Sequence, residues 1–112
     1  MNTEHELRFL PIFYSDLEGT VDYIAGTLQN PDAAGRLVDA IMAAIESRLP
    51  IADCFEQYRS FYEPDIPYYH IRVLNYLVFY VVIHEESCDI MEVRRLLYNK
   101  RNWTDMNFYE PQ

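Results

Sequence analysis

The residues best suited to chemistry are cationic and lie close together near the C-terminus. Segment 93–103 (VRRLLYNKRNW) contains no acid and holds four of the nine basic residues of the chain: Arg94, Arg95, Lys100 and Arg101. Guanidinium groups bind phosphates through charge-assisted and often bidentate hydrogen bonds. Because 18 acidic residues lie elsewhere in the chain, this concentration of positive charge marks the segment as a candidate binding site.

A second candidate lies in segment 69–83 (YHIRVLNYLVFYVVI), which is rich in β-branched and aromatic residues. Taken as one strand, it places the even-numbered side chains on one face, among them His70, Arg72, Tyr76 and Tyr80. An arginine beside tyrosines suits a phosphate and a stacked base, and His70 is the one plausible general acid or base. On composition alone, the favoured interpretation is that these side chains simply cover a half-exposed sheet.

The adjacent Arg94 and Arg95 pose a question of orientation. Neighbouring residues of a strand point to opposite faces unless a bulge intervenes. One arginine is therefore expected at a functional site, and the other is expected on the surface or in a salt bridge. Periodicity alone does not say which is which.

Composition limits the classes of function. The 112 residues suit one domain, spanning 1–112, and half of them are apolar. A net charge of -9 argues against indiscriminate binding to nucleic acid. The longest apolar run is too short for a membrane helix, and the acidic N-terminus does not resemble a signal peptide, so a cytoplasmic protein is expected. The dispersed histidines and two isolated cysteines predict no metal and no cofactor.

The elements that position these residues begin with a strand. Residues 6–14 predict an edge strand, because Pro11 would remove a ladder donor from a central one. Ser15 and Glu18 have capping-box spacing, which indicates a helix start. The apolar stripe of that helix follows at steps of four, three and four: Leu17, Val21, Ile24 and Leu28.

A second helix follows after a short link. Asn30 is a suitable cap and Pro31 suits the first helical position. The stripe of this helix consists of Leu37, Ile41, Ala44, Ile45 and Leu49. Two helices joined by so short a turn predict an antiparallel hairpin.

The remainder of the chain predicts a sheet. Residues 51–67 read as an irregular connection, 68–83 as a strand or a pair of strands, 84–87 as a polar turn and 88–98 as the returning strand. The predicted fold class is α+β: an N-terminal edge strand, an antiparallel helix hairpin, then an antiparallel β-meander forming one sheet with the helices on one face.

Three stretches together resemble the RelE/ParE superfamily of toxins from bacterial type II toxin–antitoxin systems. Segment 16–41 (DLEGTVDYIAGTLQNPDAAGRLVDAI) is similar to the family's helix hairpin, including its L-x-N-P-x-A-A link. Segment 68–82 (YYHIRVLNYLVFYVV) resembles the first family strands, and segment 93–103 is similar to the closing strand with its basic turn. The three occur in the family's order and cover most of the chain.

The resemblance implies roles for individual residues. Arg72 and Arg95 match the arginines of the first and last family strands, Tyr98 matches the aromatic that follows, and Arg94 becomes a bystander. In the ribonuclease branch such arginines hold the scissile phosphate and the tyrosine stacks on a base, giving metal-independent cleavage of messenger RNA on the ribosome. Further target contacts are expected from His70, Tyr76, Tyr80, Lys100, Arg101 and Trp103.

Three functions remain open under this resemblance. The end of segment 93–103, with Arg101 and Trp103, is more similar to the ParE branch, which poisons DNA gyrase and is not a nuclease. Segment 51–63 contains no lysine, whereas the ribonuclease branch is lysine-rich there. The third possibility is a non-toxic relative that retains only antitoxin binding.

The implied main partner is a cognate antitoxin whose tail covers the sheet and the basic site. The face around Tyr76 and Tyr80 is expected to be exposed and to receive that tail. Without an antitoxin, self-association as a homodimer through this face or the helix hairpin is expected.

Overall fold

The computed structural model describes residues 4–59 and 63–99 and shows a mixed sheet with two helices. The elements are β1 (Glu4–Phe9), α1 (Pro11–Asp22) with a π-helical continuation (Tyr23–Thr27), α2 (Pro31–Arg48) with a 3-10 turn (Leu49–Ile51), β2 (Tyr58–Arg59), β3 (Pro67–Val73), β4 (Tyr76–His84) and β5 (Cys88–Tyr98). The sheet order is β1-β5-β4-β3-β2. Strand β1 lies at an edge and runs parallel to β5, while the other pairs are antiparallel. The predicted α+β class is confirmed.

Helix α1 begins earlier than the sequence predicted. Strand β1 ends at Phe9, and Pro11 is the first helical residue after the extended Leu10. Proline is well suited there, because its missing N–H would have no partner inside the helix and its φ angle is already helical. The prediction of a strand through Tyr14 and a helix start at Ser15 was therefore wrong.

Helix α2 begins where the sequence predicted. The Asn30 side-chain oxygen accepts a hydrogen bond from the Ala33 backbone N–H at 3.1 Å, which satisfies one of the free donors of the first turn. The helix buries one stripe against the sheet: Ala34, Leu37, Ile41 and Ile45. Asn30 and Pro31 thus act as predicted.

Segment 69–83 is two strands, and the turn between them reverses the predicted faces. Leu74 and Asn75 form a two-residue turn, after which Val73 pairs with Tyr76. The main core combines residues of both helices with residues of the sheet, among them Phe13, Leu37, Ile41, Ile45, Tyr69, Ile71, Val73, Val78 and Tyr80. The face away from the helices is also packed, by Tyr68, Leu77, Phe79, Val81 and Leu97. The helices therefore cover the face of β4 that the continuous-strand prediction had left open.

A β-bulge lies at the two adjacent arginines of β5 and shifts the register between β4 and β5. Phe79 pairs with Arg95, whereas its neighbour Tyr80 pairs with Val93. Arg94 is consequently the extra residue of the bulge. Within residues 4–59 and 63–99, neither helix is long and apolar enough to cross a membrane.

Candidate functional site

Arg95 is a fully buried guanidinium held by a carboxylate of α1. Its side chain has a relative exposure of 0%, and it donates from Nε to Asp16 Oδ2 at 2.6 Å and from Nη2 to Oδ1 at 2.9 Å. The Leu96 backbone N–H donates to the same carboxylate at 3.0 Å. This bidentate contact joins α1 to β5 across 79 residues of chain. The arrangement pairs the buried Arg95 guanidinium with a carboxylate of the fold.

Arg94 is half-buried in a polar network, not a free surface cation. Its Nε donates to Glu92 Oε1 at 3.0 Å and its Nη1 donates to the Tyr68 hydroxyl at 3.2 Å. The Tyr68 hydroxyl donates in turn to Glu63 Oε1 at 2.7 Å. Burial, and then the bond to Glu63, raise the pKa of Tyr68 far above its ordinary value, so the phenol stays protonated. Arg8 approaches the same Glu92 at 3.6 Å.

Arg72 is exposed and lies apart from Arg95. It is opposite Leu77, which is itself opposite Leu97, so two strand spacings, about 10 Å, separate its backbone from β5. Its Nε donates to the Leu74 carbonyl at 3.3 Å. The two arginines that the resemblance paired do not converge on one site in the described structure.

Tyr76 at the start of β4 lies beside Tyr98 at the end of β5. They are register partners, and their rings meet edge to face with centroids 5.6 Å apart. Tyr98 is 52% exposed, whereas Tyr76 is half-buried on the helix-covered side. Burial raises the pKa of Tyr76 above its ordinary value.

Tyr80 is not on an open face, contrary to the prediction. It has a relative exposure of 0%, because β4 turns this side chain toward the helices. Its hydroxyl donates to the Ala52 carbonyl at 2.6 Å and accepts from Arg48 Nη1 at 2.9 Å. Its ring stacks on Tyr69 with centroids 5.3 Å apart. An incoming partner cannot reach Tyr80 in this arrangement.

His70 lies near the same arginine of α2. Its backbone carbonyl accepts from Arg48 Nη1 at 3.3 Å, and its ring lies 5.8 Å from that of Phe79. Burial lowers the pKa of His70, and the positive charge of Arg48 lowers it further. Sequence reasoning missed Arg48, whose one visible signal was its place in the last turn of α2, where a cation is favoured.

The remaining predicted target contacts, Lys100, Arg101 and Trp103, lie outside the described residues. Their proposed contacts with a target therefore stay predictions. The same holds for the catalytic roles assigned to Arg72, Arg95 and Tyr98, although the burial of Arg95 bears directly on them.

A large groove opens between α1, the start of α2, the start of β4 and the end of β5. Its volume is about 1020 Å³, and its lining combines apolar side chains with amides: Tyr23, Ile24, Leu28, Asn30, Asn75, Tyr76, Leu96, Leu97 and Tyr98 among others. Apolar side chains also stand exposed at the groove, with Tyr23 and Leu28 each 54% accessible. Such a groove suits the apolar face of an amphipathic peptide.

Leu28 marks a difference between the predicted and observed surface of α1. The sequence pattern assigned it to the core-facing stripe. The helix widens into a π-helical turn at Tyr23–Thr27, and Leu28 follows at the end of that turn, where it is largely exposed. A π-turn rotates the residues that follow it relative to an ideal helix, which the period of 3.6 cannot reveal.

Comparison with known proteins places the chain among toxins of one type. A family model described as the ParE toxin of the type II toxin-antitoxin system, parDE, matches residues 7–103. A solved structure titled "Chromosomal ParDE TA system from P. aeruginosa" superposes with a TM-score of 0.62 at 14% sequence identity, covering 85% of this chain and 96% of that one. At that identity the likeness concerns the fold. No curated protein matches the chain.

Proposed function

Since the chain belongs to the ParE family of type II toxins, we propose that it inhibits growth by acting on DNA gyrase and does not cleave RNA. The toxin family is the premise, and the choice of target is the proposal. Gyrase is the target that the resemblance to the ParE branch implies. The alternative within the superfamily is a ribonuclease that acts on ribosome-bound messenger RNA.

The observation that carries this choice is the burial of Arg95 by Asp16. Phosphoryl chemistry without a metal needs cations aimed at the scissile phosphate. Here the Arg95 guanidinium has a relative exposure of 0% and both of its described bonds go to one carboxylate. Arg72 is exposed, but two strand spacings separate it from β5. The described residues therefore do not assemble a paired-arginine phosphate site, which supports the non-nuclease branch.

The groove beside α1 supports the second half of the proposal, which is an antitoxin partner. An amphipathic segment of the antitoxin would set its apolar side chains against Tyr23, Leu28 and Tyr98 and its polar groups against the amides of Asn30 and Asn75. Because this chain carries a net charge of -9, a basic antitoxin segment would be attracted to it. This surface replaces the face around Tyr80 that the sequence had suggested.

Induction of the protein alone in a bacterium tests the target. The expected result is arrested growth with gyrase–DNA cleavage complexes that accumulate while ribosome-bound messenger RNA stays intact. Cleavage of messenger RNA with intact DNA would instead support the ribonuclease. Continued growth in the presence of soluble, folded protein would mean that the chain is a non-toxic relative.

Groove variants test the antitoxin site in a two-protein binding assay with the neighbouring gene product. Leu28→Asp, which places a charge among the apolar side chains, is expected to weaken the complex at least tenfold. Val38 lies on α2 outside the groove lining, so Val38→Thr serves as the control and is expected to bind like the wild type. Equal affinity of both variants would place the antitoxin elsewhere.

A further inference from the structure

The far end of the sheet, away from the groove, carries a row of imidazole and carboxylate side chains on three adjacent strands. His5 of β1 is the register partner of Asp89 of β5, and Asp89 is the register partner of His84 of β4. Register partners point to the same face of a sheet. The sequence separates the two histidines by nearly the whole domain, which is why it predicted no ligand set.

This row lies on the helix-covered face, where a fourth residue joins it. Two positions along the same strands, Met91 and Val82 belong to the core beneath the helices. Asp53, in the turn after α2, lies beside the row, and its Oδ2 is 3.7 Å from His84 Nε2. His5, Asp53 and Asp89 also line one small cavity between these elements. Residues distant in sequence thus converge at one point.

We propose that this cluster is a binding site for a divalent transition-metal ion such as zinc, coordinated by His84 Nε2 and Asp53 Oδ2. Two ligands at about 2.0 Å from a tetrahedral zinc ion lie about 3.3 Å apart, close to the observed 3.7 Å. Imidazole and carboxylate are donors that zinc accepts. Water completes the coordination sphere, because the His84 and Asp53 side chains are open to solvent.

Asp89 has a different role in the site, because it orients the imidazole ring of His84. The Asp89 carboxylate accepts a hydrogen bond from His84 Nδ1 at 2.7 Å. In the neutral ring this contact places the proton on Nδ1, so that Nε2, which lies toward Asp53, is the nitrogen available to a metal. Metal-binding histidines almost always donate their second N–H to a carboxylate or carbonyl in this way, which raises their basicity as ligands.

The local charge also favours a cation. Among residues 4–59 and 63–99, the ion pairs of Asp53 and Asp89 are made with His84 and with no lysine or arginine. The neighbouring turn adds Glu85 and Glu86. A bound ion would therefore neutralise carboxylates that have no lysine or arginine partner among the described residues. It would also tie the segment after α2 to the end of β4 and the start of β5.

Zinc titration of the full-length, tag-free chain by calorimetry tests the site. We expect saturable binding of one ion per chain, with magnesium far weaker because magnesium disfavours imidazole. His84→Gln and Asp53→Asn should each weaken zinc binding at least about tenfold, the scale at which even supporting residues act. In a thermal melt, zinc should raise the midpoint of the wild type and leave that of His84→Gln nearly unchanged.

Two controls separate this site from other sources of zinc binding. Asp39→Asn makes the same chemical change as Asp53→Asn at an exposed position of α2, and it should bind zinc like the wild type. The double variant Cys54→Ser/Cys88→Ser should also bind normally, since the thiols are not ligands here. The proposal is overturned if folded wild-type protein shows no saturable binding, if His84→Gln binds equally well, or if the cysteine variant alone loses the ion.

Discussion

At the scale of single residues, Arg95 shows how one carboxylate decides what an arginine can do. A free guanidinium near the end of β5 would be a phosphate ligand, but Asp16 takes both of its described donors. Bringing both charges out of water is costly, and the bidentate geometry with the added Leu96 N–H offsets much of that cost. The Arg95–Asp16 pair thus links α1 to β5, and the Arg95 side chain is not accessible to solvent.

The variant Asp16→Asn tests how much the Arg95–Asp16 pair stabilises the fold. It keeps the shape of the side chain but leaves the Arg95 charge buried without its counter-ion, so the free energy of unfolding should fall by about 3 kcal/mol. Urea denaturation followed by circular dichroism gives the value. Glu18→Gln, a neutralisation at an exposed position of the same helix, should change it by less than about 0.5 kcal/mol. Similar losses in both variants would show that the buried pair contributes nothing specific.

The lowered pKa of His70 predicts that the stability of the fold depends on pH. Its pKa is lowered in the folded state by burial and by Arg48, so the unfolded chain takes up its proton at a higher pH than the folded chain does. The stabilisation is therefore complete above about pH 6.5, the ordinary histidine pKa, and is lost as the pH falls toward the folded value. Between pH 7 and pH 5 the wild type should lose more stability than His70→Gln. Parallel curves for the two proteins over this range would contradict the assignment.

At the scale of elements, the predictions from the sequence were correct where local residue types determine the structure, as at a helix cap. They were wrong where a turn or a bulge changes the course of a strand. The Asn30–Pro31 start of α2 was correct because cap and proline signals are local. The faces of β4 were reversed because no glycine marks the turn, and Leu74 adopts a left-handed φ of 55° there. The bulge at Arg94 likewise has no recognisable signal in the sequence. The candidate residues Tyr76 and Tyr80 of β4 were therefore assigned to the wrong face, whereas the period had left the faces of Arg94 and Arg95 open.

The same turn yields a prediction about stability. A leucine with φ near 55° carries about 1–2 kcal/mol of steric strain, and Leu74 is 66% exposed, so its side chain contributes little packing. Glycine removes the strain and costs roughly 0.5–1 kcal/mol in conformational entropy. Leu74→Gly should therefore raise the free energy of unfolding by about 0.5–1 kcal/mol, as measured by thermal or urea denaturation. Leu28→Gly, an exposed leucine with φ -86°, should lower it, and a loss in both would show that the turn is unstrained.

At the scale of the whole molecule, four of the seven described arginines are exposed, namely Arg8, Arg36, Arg59 and Arg72, and the other three are at least partly buried. Arg95 is buried, Arg94 and Arg8 contact Glu92, and Arg48 lies over the Phe55 ring at 3.5 Å. The exposed arginines are thus few against the 18 acidic residues of the chain. Because the mean field of such a chain repels phosphate, we expect it to recognise a protein surface in preference to naked nucleic acid.

Binding to naked DNA tests that conclusion. The free chain, mixed with a labelled duplex of roughly 20 base pairs at about 0.15 M salt, should bind more weakly than about 10⁻⁴ M, the weak end of non-specific affinities. Fluorescence anisotropy measures this, and Arg72→Glu, which reverses the charge of an exposed arginine, should leave the result unchanged. Micromolar binding that weakens steeply with salt would show a phosphate-binding surface. Its loss in Lys100→Ala/Arg101→Ala would assign that surface to the C-terminal basic residues, and the protein would then approach its target through DNA and not through the acidic body of the fold.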